Sequence, residues 1–506
     1  MSILEGGVAK AAATPRGAIK HLRWYICAIL FFATTINYLD RQAMSALNPI
    51  LKQEIGWDDA SYGWINFSFQ LAYAIMFGIA GRMLDTFGVR VGMLWAVVVW
   101  SIAAVSHAFA RSALGFSISR FALGLGEAAN FPACIKTVAE WFPRRERALA
   151  TGIFNAGSNL GIMISFVVVW IATTWHWQVA FIVTGLTGFI WAVVWARFYR
   201  APEEHPSLSS DERELILSDK DPPGAAVRVP WTSLLRYRQA WAFLLGKMMT
   251  DPVWWFYLSW LPTYLVKDHG IKALTASVLL FWPYLAADFG SIGGGWLSGA
   301  LIKRGWSVGS ARRMAMGIAA VCMPGAIWAV LTHNFYVALT LISLATAAHQ
   351  AWSANIFTLA SDMFPKKVLG SVVGLGGMAG AVGGMFMQLV AGGLLQSFGT
   401  FVPLFVIAGV MHPIALVAIT IFAGKDCPPA NLDAGPSPSA NRNLAIAGTL
   451  VIGLGALLVV AVLLNWGLLA SRSMSAAAQG LTASFGVVLL GGALLYASRQ
   501  TARATA

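Results

Sequence analysis

Long apolar runs recur along most of this 506-residue chain, each about the length that crosses a bilayer as a helix. The hydrocarbon core takes roughly 20 helical residues, and only helices or closed barrels satisfy their backbone hydrogen bonds inside it. The sequence therefore predicts an all-α, polytopic membrane protein. Twelve spans are expected near 23–47, 60–82, 90–109, 113–137, 148–172, 177–198, 241–266, 274–302, 313–332, 335–359, 369–396 and 400–424, and two more near 443–466 and 480–498.

The composition agrees with this class, because only 11% of the residues are charged, against about 25% in soluble domains. The net charge of +13 could suggest a nucleic-acid partner. The basic residues cluster in short loops beside the spans, however, which is the pattern of the positive-inside rule. We therefore expect the lipid bilayer, and no nucleic acid, as partner. Four scattered cysteines lack metal-ligand spacing, so neither a metal site nor a disulfide framework is expected.

The spans and loops divide the chain into six segments. They are a tail (1–22), a first six-helix half (23–198), a central loop (199–240), a second six-helix half (241–424), a Pro-rich linker (425–442) and a two-helix hairpin with its tail (443–506). Loop charges place the N-terminus, the central loop and the C-terminus in the cytoplasm, and the membrane is expected to be the inner (plasma) membrane.

The two halves contain a repeat. AEWFPRRERALATGIFNAGSNLG (139–161) matches ASDMFPKKVLGSVVGLGGMAGAVG (360–383) at an offset of 222 residues, the distance from Pro143 to Pro365. Internal repeats with a site at their interface are typical of transporters. In the central loop, Ser209 and Glu212 form a capping box that predicts a short helix. We interpret this loop as a solvated connector, with a regulatory surface as the alternative.

Four ionisable residues stand inside the first and fourth spans: Asp40, Arg41, Arg120 and Glu127. Such groups cost several kcal/mol at membrane depth and usually mark an ion or substrate path. Arg120 and Glu127 are seven residues apart and share one helix face, which suggests a site that holds an anion and exchanges a proton. The arginines are candidate carboxylate anchors, and Asp40 and Glu127 are candidate proton carriers. Glu127 should lose Arg120 as its partner when substrate binds; permanent structural ion pairs are the alternative.

Further candidates lie on the other spans. Lys247 is a third cation, with a snorkelling side chain as the alternative. Asp251 could accept from sugar hydroxyls or neutralise Lys247, four residues earlier. The remaining candidate substrate contacts are Trp254 and Tyr257, which could instead belong to an interfacial aromatic belt, together with Asp288, His349, Asn355, Tyr38, Tyr73, Asn155 and Ser158. A packing role is the alternative for His349.

GRMLDTFGVR (81–90) resembles the loop signature of the major facilitator superfamily, with Gly81, Asp85, Gly88 and Arg90 at the expected spacing. Here Gly81 would allow close helix approach, and Asp85 would form a contact that breaks during gating; a simple turn is the alternative. INYLDR (36–41), RFALGLGEAANFPA (120–133), EWFPRRERALATGIFN (140–155) and HPSLSSDEREL (205–215) resemble the anion:cation symporter branch. TDPVWWFYLSWLPTYLV (250–266), FWPYLAADFG (281–290) and AAHQAWSANIFTLASDMFP (347–365) resemble its hexuronate transporters, which carry glucuronate and galacturonate.

The resemblance covers roughly residues 20–425 and implies a 12-helix major facilitator fold with two extra C-terminal helices. It implies proton-coupled symport of a hexuronate by alternating access, coupling carboxylates at Asp40 and Glu127, and substrate contacts at Tyr38 and Tyr73. Ser158 and Gly380 depart from relatives with Gln and Asn there, which argues against an aldonate. Alternatives are another organic anion (aldonate, aldarate or aromatic carboxylate) or a membrane-embedded sensor. We expect no enzymatic activity, no cofactor beyond the coupling ion (H⁺, with Na⁺ left open), and a monomer.

Overall fold

The structure, a computed structural model, describes residues 19–218 and 231–424 together with residues 427 and 430. The spans expected near 443–466 and 480–498 lie outside these residues. Within the described ranges, almost the whole chain is helical. The helices are α1 (Leu22–Ile55), α2 (Asp59–Ser106), α3 (Ala113–Glu127), α4 (Asn130–Trp141), α5 (Arg144–Met163), α6 (Phe166–Thr174), α7 (Trp177–Phe198), α8 (Ser210–Ser218), α9 (Trp231–Leu234), α10 (Arg238–His269), α11 (Ala273–Leu279), α12 (Phe281–Lys303), α13 (Val308–Cys322), α14 (Gly325–Leu331), α15 (Phe335–Met363), α16 (Lys366–Phe398) and α17 (Val402–Ala423).

Each of the first twelve predicted spans coincides with one helix or with parts of consecutive helices. The second and third spans are joined in α2, which bends at Gly88, where φ is 76° and ψ is 160°. A residue with a side chain rarely adopts this φ, so the bend requires glycine. Several spans are instead divided into two helices by a local break, as between α3 and α4. In the described part of the chain, nine helical segments are long and apolar enough to cross a membrane.

Glycines allow close helix packing at matching places in the repeat. On α5, a Cβ at Gly161 would overlap the Thr35 carbonyl of α1, and on α16 a Cβ at Gly383 would overlap the Met248 carbonyl of α10. Gly161 and Gly383 are separated by the repeat offset of 222 residues. Small residues let helix backbones approach closely in lipid, where burial of apolar surface does little to drive association. The two glycines therefore hold α1 and α10 in equivalent positions.

A larger side chain at position 161 is expected to destabilise the fold. Gly161→Leu inserts a side chain against the backbone of α1, and overpacking of this kind costs about 1–3 kcal/mol. Gly152→Leu on the same helix is the matched control, because a Cβ there meets no atom within 4 Å. In a thermal unfolding assay of the purified protein, Gly161→Leu should lower Tm and Gly152→Leu should leave it near that of the unmodified chain. Equal Tm values for the two variants would contradict this account of the packing.

The two groups of helices contact each other through α1 with α10, α2 with α16 and α5 with α12. We call the end of the bundle that carries residues 56–58 and 270–272 the α1–α2 end, and the opposite end, which carries the bend in α2, the Gly88 end. Near the α1–α2 end, Asn48 donates to Thr263 (2.9 Å) and the Tyr62 hydroxyl donates to the Ser259 carbonyl (2.7 Å).

A charged cluster adds to these contacts at the same end. The Asp59 carboxylate lies 2.6 Å from Lys52 Nζ in its own half and 3.7 Å from Lys267 Nζ in the other half. The Asp59 backbone N–H also donates to Gln396 of α16 (3.2 Å). Polar and charged contacts thus join the two halves at the α1–α2 end in this conformation.

The part of the central loop that the structure describes before residue 219 is bound to the first half. The Ser209 hydroxyl accepts from the backbone N–H of Glu212 (3.4 Å), as the capping box predicts. The Glu212 carboxylate does not return to Ser209, however. It accepts from the backbone N–H groups of Leu22 and Arg23 and from the Arg23 guanidinium (2.7 Å). Because Glu212 is buried and caps the first turn of α1, the interpretation of α8 as a solvated connector is wrong.

Candidate substrate site between the two halves

A narrow cavity lies between the two halves, and in this conformation it has room for about one water molecule. Helices α1, α2, α3 and α10 supply its walls: Arg41, Gln42, Ser45, Asn66, Phe69, Gln70, Arg120, Trp255, Leu258 and Ser259. The cavity therefore joins the two predicted arginines to α10, at the depth where the sequence places ionisable groups.

Arg41 lies in an aromatic cage. Its guanidinium carbon is 4.6 to 5.2 Å from four ring centroids, those of Tyr38, Tyr73, Phe69 and Trp255. Arg41 Nε donates to Glu127 (2.9 Å) and Nη2 donates to Asn37 (3.3 Å). Nη1 is buried and has no hydrogen-bond partner among the described residues. Ring faces stabilise the cation, and Nη1 remains a donor that none of the described residues uses.

Arg120 has no carboxylate partner among the described residues. Its side chain is buried, with 3% of the residue exposed. Nη1 donates to the Arg41 carbonyl (3.2 Å), Nη2 donates to Asn66 (3.3 Å), and Nε has no partner. A buried cation with only neutral acceptors retains a strong attraction for an anion. The two arginines thus present two unused N–H donors around one cavity.

The partner of Glu127 differs from the one expected. Glu127 lies at the last position of α3, on the predicted face with Arg120. It is fully buried, and its carboxylate forms an ion pair with Arg41 at 2.9 Å. The prediction of an Arg120–Glu127 pair is therefore wrong. The spacing of seven residues correctly gives a shared face, but Glu127 is directed to the neighbouring helix α1, and a side chain's partner across helices cannot be read from one helix.

Asp40 is a buried carboxyl whose environment differs from that of Glu127. Only 3% of the residue is exposed, and neither carboxyl oxygen has a hydrogen-bond partner among the described residues. An ionised carboxylate is very costly to bury without a partner, whereas a protonated carboxyl is much less so. Asp40 thus differs from Glu127, whose carboxylate is bound to Arg41.

Several candidates of the second half lie away from the cavity. Trp255, not Trp254 or Tyr257, forms its wall. Gly384 leaves the space that the Trp255 ring occupies. Trp254 stacks on His349 with centroids 5.2 Å apart, and Tyr257 packs in the core against Phe256 and Phe405. The expectation that Trp254 and Tyr257 face this cavity is wrong, because the residue between them on the helix points toward the first half.

Most of the other polar side chains predicted to contact substrate bind groups of the protein instead. Asn355 Nδ2 donates to the carbonyls of Gly294 and Ala351, and the Ser158 hydroxyl donates to the Asn155 carbonyl. Asn155 itself is exposed and does not line the cavity. Three further contacts pair candidates with other side chains: Asp288 with Asn159, Lys247 with Asp251, and His349 with His412.

The gating candidates have different surroundings. A Cβ at Gly81 would meet nothing within 4 Å, so the expected close helix approach is absent here. Gly88 forms the bend in α2, and Arg90 Nη2 donates to the Ala196 carbonyl of α7 (3.0 Å). The side chain of Asp85 lies outside the described part of the structure.

Sequence reasoning missed Asn66, Phe69 and Gln70 of α2, although a signal was present. Asn66, Gln70 and Tyr73 recur at intervals of four and three residues in an otherwise apolar helix. This spacing places them on one face, and polar residues on one face of a membrane helix indicate a cavity. His412 gave no comparable signal, since a lone histidine in an apolar span is equally compatible with packing.

Comparisons with known proteins agree with this architecture. The model of the Major Facilitator Superfamily matches residues 30–388. A hexuronate transporter of Escherichia coli K12 is 34% identical over 80% of this chain and 95% of its own length. A galacturonate transporter of Dickeya chrysanthemi is 35% identical over 55% of this chain and 82% of its own.

Solved structures support the fold. A D-xylose–proton symporter superposes with a TM-score of 0.62 at 14% identity, covering 80% of this chain and 98% of that one. An inward-facing bacterial homologue of the lysosomal transporter Spinster gives a TM-score of 0.59 at 18% identity, covering 95% and 98%. The family model covers more than two thirds of the sequence and the solved structures share its fold, so this chain belongs to the Major Facilitator Superfamily.

Proposed function

We propose that this multi-pass transporter carries a hexuronate, such as glucuronate or galacturonate, together with a proton by alternating access. One observation carries the proposal: Arg41 Nη1 and Arg120 Nε are buried donors without partners, on residues that line one cavity. A carboxylate has two oxygens and accepts strong, charge-assisted bonds from guanidinium groups. It would satisfy both donors at once, and the hydroxyl-rich body of the sugar acid would face Asn66, Gln70 and Gln42.

Two observations support a hexuronate as the substrate. The relatives at 34% and 35% identity are named hexuronate and galacturonate transporters, whereas galactonate and galactarate/glucarate transporters are 29% identical. In the cavity wall, the aromatic ring of Trp255 suits the C–H side of a pyranose ring. The ligand of the proposal is thus a small anion with one carboxylate and several hydroxyls.

Proton coupling follows from competition for Arg41. In the empty site, the guanidinium is held by Glu127. An arriving carboxylate needs the same cation, and an ionised Glu127 left without a partner would be strongly destabilised by burial. Protonation of Glu127 removes this conflict, so substrate and proton bind together. By thermodynamic reciprocity, each raises the affinity of the site for the other by the same factor. Asp40, buried and unpaired on the same helix, is a second proton position.

Alternating access requires that the joined end open. The contacts of Asn48, Asp59 and Tyr62 close the α1–α2 end in this conformation. The loop charges favour a cytoplasmic Gly88 end with both termini inside the cell, in the inner membrane. Transport would then break the contacts between the two halves at the α1–α2 end and expose the cavity to the outside of the cell. The proposed transport unit is a monomer.

Uptake into proteoliposomes tests the proposal. Purified full-length protein is reconstituted, a pH gradient (inside alkaline) is imposed, and accumulation of radiolabelled glucuronate and galacturonate is measured. The same assay includes galactonate, galactarate and an aromatic carboxylate. We expect concentrative uptake of a hexuronate that stops when a protonophore collapses the gradient. Uptake that follows an imposed Na⁺ gradient at clamped pH would contradict proton coupling, and accumulation of one of the other acids alone would contradict the substrate.

A further inference from the structure

The third membrane cation has a counter-ion of its own. Lys247 is 5% exposed, and its Nζ lies 2.8 Å from Asp251 Oδ2, one helical turn further along α10. The ammonium also lies 4.2 Å from the centre of the Phe357 ring. Attraction and ring contact both hold this cation in place. A buried ion pair of this kind leaves little net charge for a substrate.

Gly380 of α16 makes the pair possible. A Cβ at this position would overlap the Asp251 carboxylate, so any larger residue must displace it. Gly380 follows the repeat: it lies 222 residues after Ser158, and its neighbour Gly383 packs on α10 as Gly161 packs on α1. In the first half, Gly161 contacts the Tyr38 side chain, which belongs to the cage of Arg41. Gly161 meets the Thr35 carbonyl of α1 as Gly383 meets the Met248 carbonyl of α10, so Tyr38 and Asp251, each three residues further along, occupy corresponding positions.

The Lys247–Asp251 pair lies on α10, nearer to the start of the helix than Trp255 of the cavity wall. Trp255, which lines the cavity, comes one turn after Asp251 and two turns after Lys247. Eight residues of helix rise about 12 Å. An extended six-carbon diacid with a cation beyond each carboxylate covers a comparable length. Lys247 does not itself line the cavity. A diacid that extended from the cavity along α10 would bring its second carboxylate toward Lys247, which is already bound to Asp251.

The charged side chains at membrane depth limit how many substrate carboxylates the site can bind. Among the residues that the structure describes there, Arg41 pairs with Glu127 and Lys247 pairs with Asp251. Arg120 is left without a carboxylate, and in the proposed mechanism the proton on Glu127 frees Arg41 as well. Both arginines then bind the same substrate carboxylate, so neither is left for a second one. A second carboxylate near Lys247 would face the Asp251 carboxylate, and like charges in a buried site repel strongly.

We propose that Gly380 and Asp251 determine the charge of the substrate: Asp251, seated against Gly380, occupies Lys247 and so restricts transport to acids with a single carboxylate. The inference rests on the proposed function and adds how many carboxylates the substrate can carry. Removing the Asp251 charge frees Lys247 for a second carboxylate. Enlarging Gly380 has the same effect by displacing Asp251.

The test compares galacturonate with galactarate, which differ in the group at one end of the same six-carbon chain. Purified Asp251→Asn and Gly380→Ala are assayed for uptake of both acids and for thermal stabilisation by each. Preference for the diacid should rise about tenfold or more in Asp251→Asn, the effect of one charge-assisted contact, and in the same direction in Gly380→Ala. Lys247→Met/Asp251→Asn, which removes both charges, should return to the preference of the unmodified chain.

Asp362→Asn is the matched control, because Asp362 pairs with Arg312 (3.1 Å), remote from α10. A folded Asp251→Asn with unchanged preference in both assays would overturn the inference. So would a double variant that keeps the preference for the diacid. Failure of the proposed function gives a different result, because the unmodified protein would then take up no hexuronate. Thermal stabilisation by each acid would still show whether a variant binds the acid with one carboxylate or the acid with two.

Discussion

Replacing Arg120 with lysine is expected to reduce hexuronate uptake about 100-fold or more. Lysine keeps the positive charge but has a single nitrogen, so it loses the free Nε donor and the bonds to the Arg41 carbonyl and Asn66. Each buried hydrogen bond to a charged group contributes roughly 1.5–3 kcal/mol, and every 1.4 kcal/mol changes affinity about tenfold. Initial rates of uptake over a range of concentrations would measure the loss.

Arg111→Lys is the control for this variant. Arg111 bonds to the Ala108 and Ala110 carbonyls at the α1–α2 end and does not line the cavity. Its uptake should stay within a few-fold of that of the unmodified protein. Near-normal substrate affinity in correctly folded Arg120→Lys would show that another group anchors the carboxylate.

Glu127→Gln is expected to separate binding from accumulation. Glutamine resembles the protonated carboxyl, so Arg41 is free for substrate at every pH. Exchange of internal for external substrate should continue, while uptake driven by a pH gradient should fall to the level without a gradient. In the unmodified protein, raising the pH removes the proton from Glu127 and restores its pair with Arg41, so substrate affinity should fall. In Glu127→Gln, affinity should not change with pH.

Glu140→Gln controls for loss of a carboxylate elsewhere, since Glu140 accepts from the Tyr199 hydroxyl (2.6 Å) outside the cavity. It should keep both gradient-driven uptake and the pH dependence of binding. If Glu127→Gln still concentrated substrate in response to a pH gradient, the coupling group would be elsewhere, and Asp40 would be the next residue to replace.

The sequence predicts the course of the chain well because membrane depth imposes a simple rule. Every backbone group in lipid must be satisfied within a helix, so apolar length indicates the twelve described spans. Local breaks are less visible: Gly88 is one of 50 glycines, and its positive φ depends on how α2 meets its neighbours. The role of Glu212 is also invisible locally, since it caps a helix 190 residues earlier in the chain.

The chemistry of the site was predictable where a residue type is unusual at membrane depth. Arg41, Arg120, Glu127 and Asp40 stand out against apolar neighbours, and all four are buried where expected. Their partners were not predictable, because Glu127 could reach either arginine, and only the three-dimensional structure shows that it binds Arg41. Aromatic residues were hardest to assign. Trp254, Trp255 and Tyr257 share one short stretch, and a rotation of one residue decides which of them reaches the cavity.

The bond between Glu212 and the start of α1 determines where the polypeptide can be divided. Many two-part membrane proteins are studied by expressing each part as a separate chain, and the central loop is the natural place for a cut. A break before α8 would remove the carboxylate that caps Leu22 and Arg23 from the fragment that needs it. A break after Ser218 would keep that carboxylate on the first fragment. Complementation between two such fragments should therefore succeed with the later cut and fail, or give much less folded protein, with the earlier one.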